Sequence, residues 1–130
     1  MNQTVEWPDI KQVEQTDDTA TLLLAIPTTL KYFAGHFHGM PVLPGIVQLH
    51  WAIHYARDYL TAVGPSIPKA EALKYQAIIQ PGMELKLTLE RKSADKIQFT
   101  YHGDGVTYSS GRLLFGSPST NQAQTKGTDR

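Results

Sequence analysis

Histidines recur in the segment GHFHGMPVLPGIVQLHWA, residues 35–52, where His36 and His38 flank Phe37 and His50 follows His36 by fourteen positions. Histidine ordinarily changes its protonation state near neutral pH, so it can act as a general base or a general acid. Three glycines and two prolines predict a loop over the first eleven residues. An apolar run follows and contains His50. This segment is therefore the candidate for acid–base chemistry.

A second histidine pattern continues along the same run. His50 and His54 are four positions apart, and Asp58 follows after four more. On a helix these residues lie on one face, and a histidine pair at this spacing can bind zinc. The chain has no cysteine, no H-E-x-x-H motif and no third ligand at a diagnostic spacing. We therefore expect no metal, and His54 is instead a candidate to orient His50.

Composition limits the classes of protein that fit. The 130 residues are the size of one domain, and 41% of them are hydrophobic, which is enough for a core. Twelve basic and twelve acidic residues cancel, which argues against a nucleic-acid partner. The absence of cysteine fits a reducing compartment. Without a secretory pattern at the N-terminus or a run of about 18 apolar residues, we expect a cytoplasmic protein with no membrane span.

The apolar run after the loop predicts one long helix. It extends from about Pro44, a favoured first helical residue, to Val63, and Gly64-Pro65 would end it. The run has almost no polar face, so we expect a helix that is buried nearly all round.

Short strands are predicted on both sides of this helix, at residues 19–27, 71–79, 82–90, 95–102 and 106–116. Apolar and polar residues alternate in most of them, which is typical of half-buried strands. Pro81-Gly82 and Asp104-Gly105 predict tight turns, so the sheet should be mostly antiparallel. Its apolar face must cover something, and the helix is the candidate. The predicted fold is α+β, with an antiparallel sheet curled around one central helix.

An antiparallel sheet wrapped around a long apolar helix is the hot-dog fold. Within it, residues 35–52 resemble the active-site segment of the 3-hydroxyacyl-[acyl-carrier-protein] dehydratases, whose pattern is roughly G-H-F-x-x-x-P-x-x-P-G-x-x-x-x-[DE]. The chain matches that pattern at Gly35, His36, Phe37, Pro41, Pro44 and Gly45. The segment VQLHWA, residues 47–52, is more similar to a divergent branch of the family with the pattern V-Q-[LV]-D-W-A. Some members of that branch serve aryl-polyene or other specialised lipid pathways.

The resemblance covers about residues 18–116. It implies a hot-dog domain over residues 1–116. The remaining residues, 117–130, are rich in Ser, Thr, Gly and Gln, so we expect them to form a disordered tail.

The resemblance also implies an activity and the residues that perform it. The activity is a hydro-lyase that removes water from (3R)-hydroxyacyl thioesters, on acyl carrier protein or coenzyme A, to give trans-2-enoyl thioesters without a cofactor. His36 would be the base that takes the C2 proton. The N–H of Gly45, at the positive end of the helix, would hold the charge on the thioester oxygen. Phe37, Val42 and Pro44 would contact the substrate.

One residue departs from the family pattern. His50 stands where the family has Asp or Glu, and an imidazole can still donate a proton to the leaving hydroxyl, although apolar burial would favour its neutral form. Three interpretations stay open: His50 replaces the carboxylate, the chemistry is altered, or the protein binds acyl chains without catalysis. A hot-dog thioesterase is a further alternative, which the lack of Asp and Glu between residues 19 and 57 disfavours.

The predicted sheet leaves an edge that needs covering, and exposed edges are often paired. Hot-dog proteins generally dimerise and place their active sites at the interface. The resemblance therefore implies a homodimer or a dimer of dimers, in which His36 faces His50 of the partner subunit. The acyl chain would enter an apolar tunnel between the subunits.

Overall fold

A computed structural model describes residues 5–31, 41–61 and 68–116 of the chain. The elements in these residues are β1 (Asp9–Gln15), β2 (Thr19–Ala25), α1 (Gly45–Leu60), β3 (Lys69–Tyr75), β4 (Glu84–Ser93), β5 (Lys96–Gly103) and β6 (Val106–Leu114). The loop histidines, Phe37, the predicted helix stop at Gly64-Pro65 and the predicted tail lie outside the described residues. Within the described part, no helix is long and apolar enough to cross a membrane.

The six strands form one sheet in the order β1-β2-β4-β5-β6-β3. Every neighbouring pair in it is antiparallel. The helix connects β2, near one end of the sheet, to β3, which forms the opposite edge. The predicted α+β hot-dog fold, an antiparallel sheet with one central helix, is confirmed.

Alternation along the strands decides which face of the sheet covers the helix. The pattern is clearest in β2, where Ala20, Leu22 and Leu24 are buried while their neighbours are partly exposed. β4 and β5 repeat it. The helix contributes its own buried face, and α1 contacts β2 and β4. The buried residues of the helix are Val47, Gln48, Trp51, Ala52, Tyr55, Ala56 and Leu60.

Both predicted tight turns are present. Asp104 and Gly105 have φ angles of 51° and 77° between β5 and β6, as a two-residue turn of the mirror-image type requires. Gly82 has a φ angle of 85° before β4, a value that glycine adopts without steric cost.

The helix is shorter than its apolar run predicts. Pro44 is extended and precedes the helix, which begins at Gly45 and ends at Leu60. The predicted extension to Val63 is wrong because Thr61 adopts the left-handed conformation, with φ at 48°, and its N–H donates to the carbonyl of Ala56. A left-handed residue with such a bond ends a helix.

The expectation that the helix is buried nearly all round is also wrong. The side chain of Ile46 is 71% exposed, and His50, His54, Arg57 and Asp58 are exposed further along. The sheet covers one side of the helix, so the opposite side of this single chain stays open.

The strand predicted at residues 71–79 is shifted toward the N-terminus, because β3 ends at Tyr75. Its pairing with β6 is irregular between Glu71 and Lys74, and Ala72 between them has a φ angle of 55°. Of the two residues predicted on the covered face, Tyr75 still reaches the helix, where its hydroxyl contacts Gly45, and Leu73 lies over Gly111 beside the buried Phe99. They are nevertheless 39% exposed for Leu73 and 48% exposed for Tyr75, because β3 is an edge strand.

Candidate active site

The N-terminus of α1 offers backbone N–H groups to a negatively charged atom. The N–H groups of Val47 and Gln48 donate to the carbonyl of Pro44, at 3.1 and 3.2 Å. Among the described residues no side chain caps the helix, and its first turn has no acidic residue. The N–H groups of Gly45 and Ile46 are thus left without an acceptor in the helix. With the positive end of the helix dipole, they can stabilise an oxyanion.

Tyr75 of the edge strand β3 packs against this N-terminus. Its hydroxyl donates to the carbonyl of Gly45 at 3.1 Å. Burial raises the pKa of the Tyr75 phenol, so it stays a donor at neutral pH. A Cβ added to Gly45 would lie 2.7 Å from the ring carbon Cζ of Tyr75. A side chain at position 45 would therefore have to displace the Tyr75 ring, which occupies that space.

We expect Gly45→Ala to lower kcat/KM for the dehydration that the family resemblance implies by roughly tenfold, since the N–H remains but the methyl group displaces the Tyr75 ring and obstructs the thioester oxygen. Steady-state kinetics and thermal unfolding measure the two effects. Tyr75→Phe is the control, because it keeps the ring and removes only the hydroxyl. Activity of Gly45→Ala equal to wild type would show that the thioester oxygen does not approach the Cα of Gly45.

A buried hydrogen-bond network ties the first turn of the helix to the sheet. Gln48 is 3% exposed, and its Nε2 donates to the carbonyl of Leu43 at 3.0 Å. The Ser109 hydroxyl donates to Gln48 Oε1 at 2.6 Å, and the Tyr101 hydroxyl donates to the Gln48 carbonyl at 2.7 Å. Burial raises the pKa of Tyr101 well above its ordinary value, so this phenol stays protonated. The network fixes the loop end and the helix start relative to β5 and β6.

Gln48→Leu should lower the free energy of unfolding by about 2–3 kcal/mol, because it leaves the buried Ser109 hydroxyl and Leu43 carbonyl without their partner. Urea denaturation measures this loss. The matched control is the exposed Gln76→Leu, which should change stability by less than about 0.5 kcal/mol. Equal losses in the two variants would contradict the role given to the network.

His50 lies on the exposed side of α1. Its imidazole centroid is 5.2 Å from the ring centroid of Trp7, which lies before β1. A cavity of about 350 Å³ adjoins it, lined by His50, Ile53, His54, Arg57 and Pro68. His50, which the family resemblance places at the acid position, therefore borders this cavity.

His54, predicted as a candidate to orient His50, has a polar partner further along the helix. Its Nε2 lies 3.1 Å from Asp58 Oδ2, and its ring centroid is 4.5 Å from that of Trp7. Within the described residues, no three His, Cys, Asp or Glu side chains are grouped so that they could hold a metal ion.

The structure places part of the predicted set on one helix. Gly45 and His50 lie on α1, and Pro44 directly precedes it. Val42 lies in the segment before the helix, where Leu43 N–H donates to the carbonyl of Ile79 at 2.8 Å. His36 and Phe37 lie outside the described residues, so the roles assigned to them stay predictions.

Sequence reasoning missed two residues of this region. Gln48 had a signal, because it is a lone polar side chain that faces inward from an apolar run. Trp7 stood in a polar N-terminal stretch with no periodicity, and nothing local linked it to His50. Only the fold brings these two rings together.

Comparisons with known proteins agree with this fold. A structure of the dehydratase heterocomplex ApeI:P from Xenorhabdus doucetiae is 34% identical and superposes with a TM-score of 0.75, covering 83% of this chain and 96% of that one. An uncharacterised protein from Erwinia carotovora subsp. atroseptica is 36% identical with a TM-score of 0.64, covering 83% and 94%. The family model for ApeI dehydratase matches residues 12–112. The chain therefore belongs to the ApeI-like family of dehydratases.

Proposed function

We propose that this protein removes water from (3R)-hydroxyacyl thioesters, carried by acyl carrier protein, to give trans-2-enoyl thioesters in fatty acid or polyene-type lipid biosynthesis. The observation that carries the proposal is the uncapped helix N-terminus at Gly45. It offers backbone N–H groups for a thioester oxygen, in a chain of a dehydratase family. His50 follows on the same helix, at the position of the family's acid.

In the proposed step, His36 takes the C2 proton, and the electron pair of that C–H bond delocalises toward the thioester oxygen until the C3–O bond breaks, when it forms the double bond between C2 and C3. The thioester oxygen gains negative charge, which the N–H of Gly45 stabilises. The C3–O bond breaks and its electron pair leaves with oxygen. A protonated His50 gives its proton to this oxygen, so the leaving group is water. Exchange with solvent then restores both histidines.

The reaction is tested with (3R)-hydroxyacyl carrier proteins over a range of chain lengths, with mass spectrometry of the products. A product lighter by one water is expected. Release of free thiol without dehydration would identify a thioesterase. Binding of acyl carrier protein without any product would identify a catalytically silent acyl-binding subunit.

A second copy of the chain is the proposed neighbour of the β3 edge. Leu73 and Tyr75 on this strand and Ile78 just beyond it are exposed hydrophobic side chains, and an unpaired strand edge accepts a further strand. The same side of the molecule carries the Gly45–Tyr75 contact. The family resemblance implies that His36 of one copy then faces His50 of the other. The Xenorhabdus relative is described as a heterocomplex, so a related subunit is the alternative occupant.

We expect light scattering to give twice the 14.5 kDa of one chain, and Leu73→Asp to give monomers with little activity, because a charge would be buried in the interface. The matched control is Val13→Asp, on the opposite edge strand and 37% exposed, which should stay dimeric. Thermal unfolding checks that both variants fold. A monomeric and active wild type would contradict the dimer.

A further inference from the structure

The residues that precede β1 form an arm, Val5–Pro8, that is fixed to the body of the fold. Lys31 N–H donates to the Val5 carbonyl at 2.8 Å. The indole N–H of Trp51, a buried residue of α1, donates to the Glu6 carbonyl at 3.1 Å. Pro8 is buried. Two hydrogen bonds to the backbone before Trp7 and a buried proline after it hold its side chain against the helix.

The Trp7 side chain rests on the two exposed histidines of α1. Its ring centroid is 5.2 Å from that of His50 and 4.5 Å from that of His54, with interplanar angles of 33° and 41°. The Tyr55 ring is its third aromatic neighbour, at 5.9 Å. Ring pairs at these separations attract each other beyond their buried area. The indole thus contacts the imidazole that borders the cavity.

We propose that Trp7 is a positioning residue that holds the His50 imidazole in place for proton transfer to the leaving hydroxyl. The inference rests on the proposed function, which assigns His50 that step. An exposed helical side chain otherwise moves among several staggered rotamers, and ordering it costs conformational entropy at the moment of reaction. Contact with a fixed indole restricts that freedom beforehand, and the rate depends on such placement.

The nature of the side chain at position 50 supports this role. An imidazole is a planar ring that packs on an indole, whereas the carboxylate of the family pattern is not an aromatic ring. His54 also packs against Trp7, and its Nε2 lies 3.1 Å from Asp58 Oδ2. It is therefore a second ring held beside Trp7. Arg57 is the charged residue that shares the cavity with both histidines.

The arm also lies outside the part of the chain that defines the family. The family model begins at residue 12, whereas Trp7 precedes it. The contact between the arm and His50 therefore does not follow from membership of the family.

The test compares Trp7→Leu and Trp7→Phe in the full-length protein. We expect Trp7→Leu to lower kcat about tenfold to a hundredfold, with KM changed less than about twofold. Trp7→Phe should retain most of the activity because it keeps a ring. The control is Lys31→Met, which removes the exposed 3.6 Å ion pair to Glu6 of the arm but keeps the indole. It should behave like wild type.

An independent readout is the NMR spectrum of the histidine rings, assigned with His50→Gln and His54→Gln. The ring protons of His50 should be shifted by the indole ring current in wild type and should lose that shift in Trp7→Leu. A His50 signal unchanged by Trp7→Leu would overturn the inference, and so would equal losses of kcat in Trp7→Leu and Lys31→Met. If wild type dehydrates nothing, the proposed function fails, and the NMR comparison alone then decides whether Trp7 holds His50.

Discussion

His36→Ala is expected to lower kcat for dehydration by about 10²- to 10⁴-fold, which is the usual contribution of a general base. The C2 proton is weakly acidic, so its removal needs a base that is partly unprotonated near neutral pH, as histidine is. KM should change little, because the base acts on a bond that breaks in the transition state. Single-turnover formation of the enoyl thioester measures this directly.

His38 provides the matched control for this experiment. It lies two positions from His36, at a position that the family pattern leaves undefined, so His38→Ala should keep most of the activity. Equal rates for wild type and His36→Ala would remove His36 from the mechanism. Equal losses in both variants would indicate that the loop, and not one imidazole, is what matters.

His50→Ala is expected to lower kcat by about 10²-fold or more, because the leaving hydroxyl would lose its proton donor. The effect should come without a large loss of stability, since the side chain is exposed in the single chain. Urea denaturation of both proteins checks this. His50→Ala with full activity would show that His36 acts alone or with another group.

His50→Asp separates an active enzyme from a silent relative. If His50 is the working acid, the swap lowers activity, because it removes the imidazole donor from surroundings that hold an aromatic ring. It also loses the ring contact with Trp7 at 5.2 Å. A rise in activity would instead show that dehydration needs the family's carboxylate at position 50, and it would contradict the role proposed for His50.

The fold class followed from local patterns. Alternation such as Leu85, Leu87 and Leu89 with polar neighbours can bury one face only as a strand, because side chains of a strand point alternately to either side. The unbroken apolar run that contains Trp51 can be buried only as the helix that this face covers. The tight turn at Asp104 and Gly105, where both φ angles are positive, was predicted from the Asp-Gly pair itself.

Local patterns did not predict which side of the helix is exposed. An apolar run indicates that a helix is covered, but neighbouring elements decide which side is covered, and here the sheet packs on one side only. Ile46 is therefore exposed in spite of its type. The same holds for Leu73, which is 39% exposed because it lies on the edge strand β3.

The sequence by itself determined the sheet, the helix and the candidate residues His36, Gly45 and His50, because local periodicity and a short motif depend only on neighbours along the chain. The tertiary structure alone decided that Trp7 rests on His50 and that Ser109 satisfies Gln48. Such contacts join residues far apart in sequence. They depend on the packing of whole elements, which no local pattern specifies.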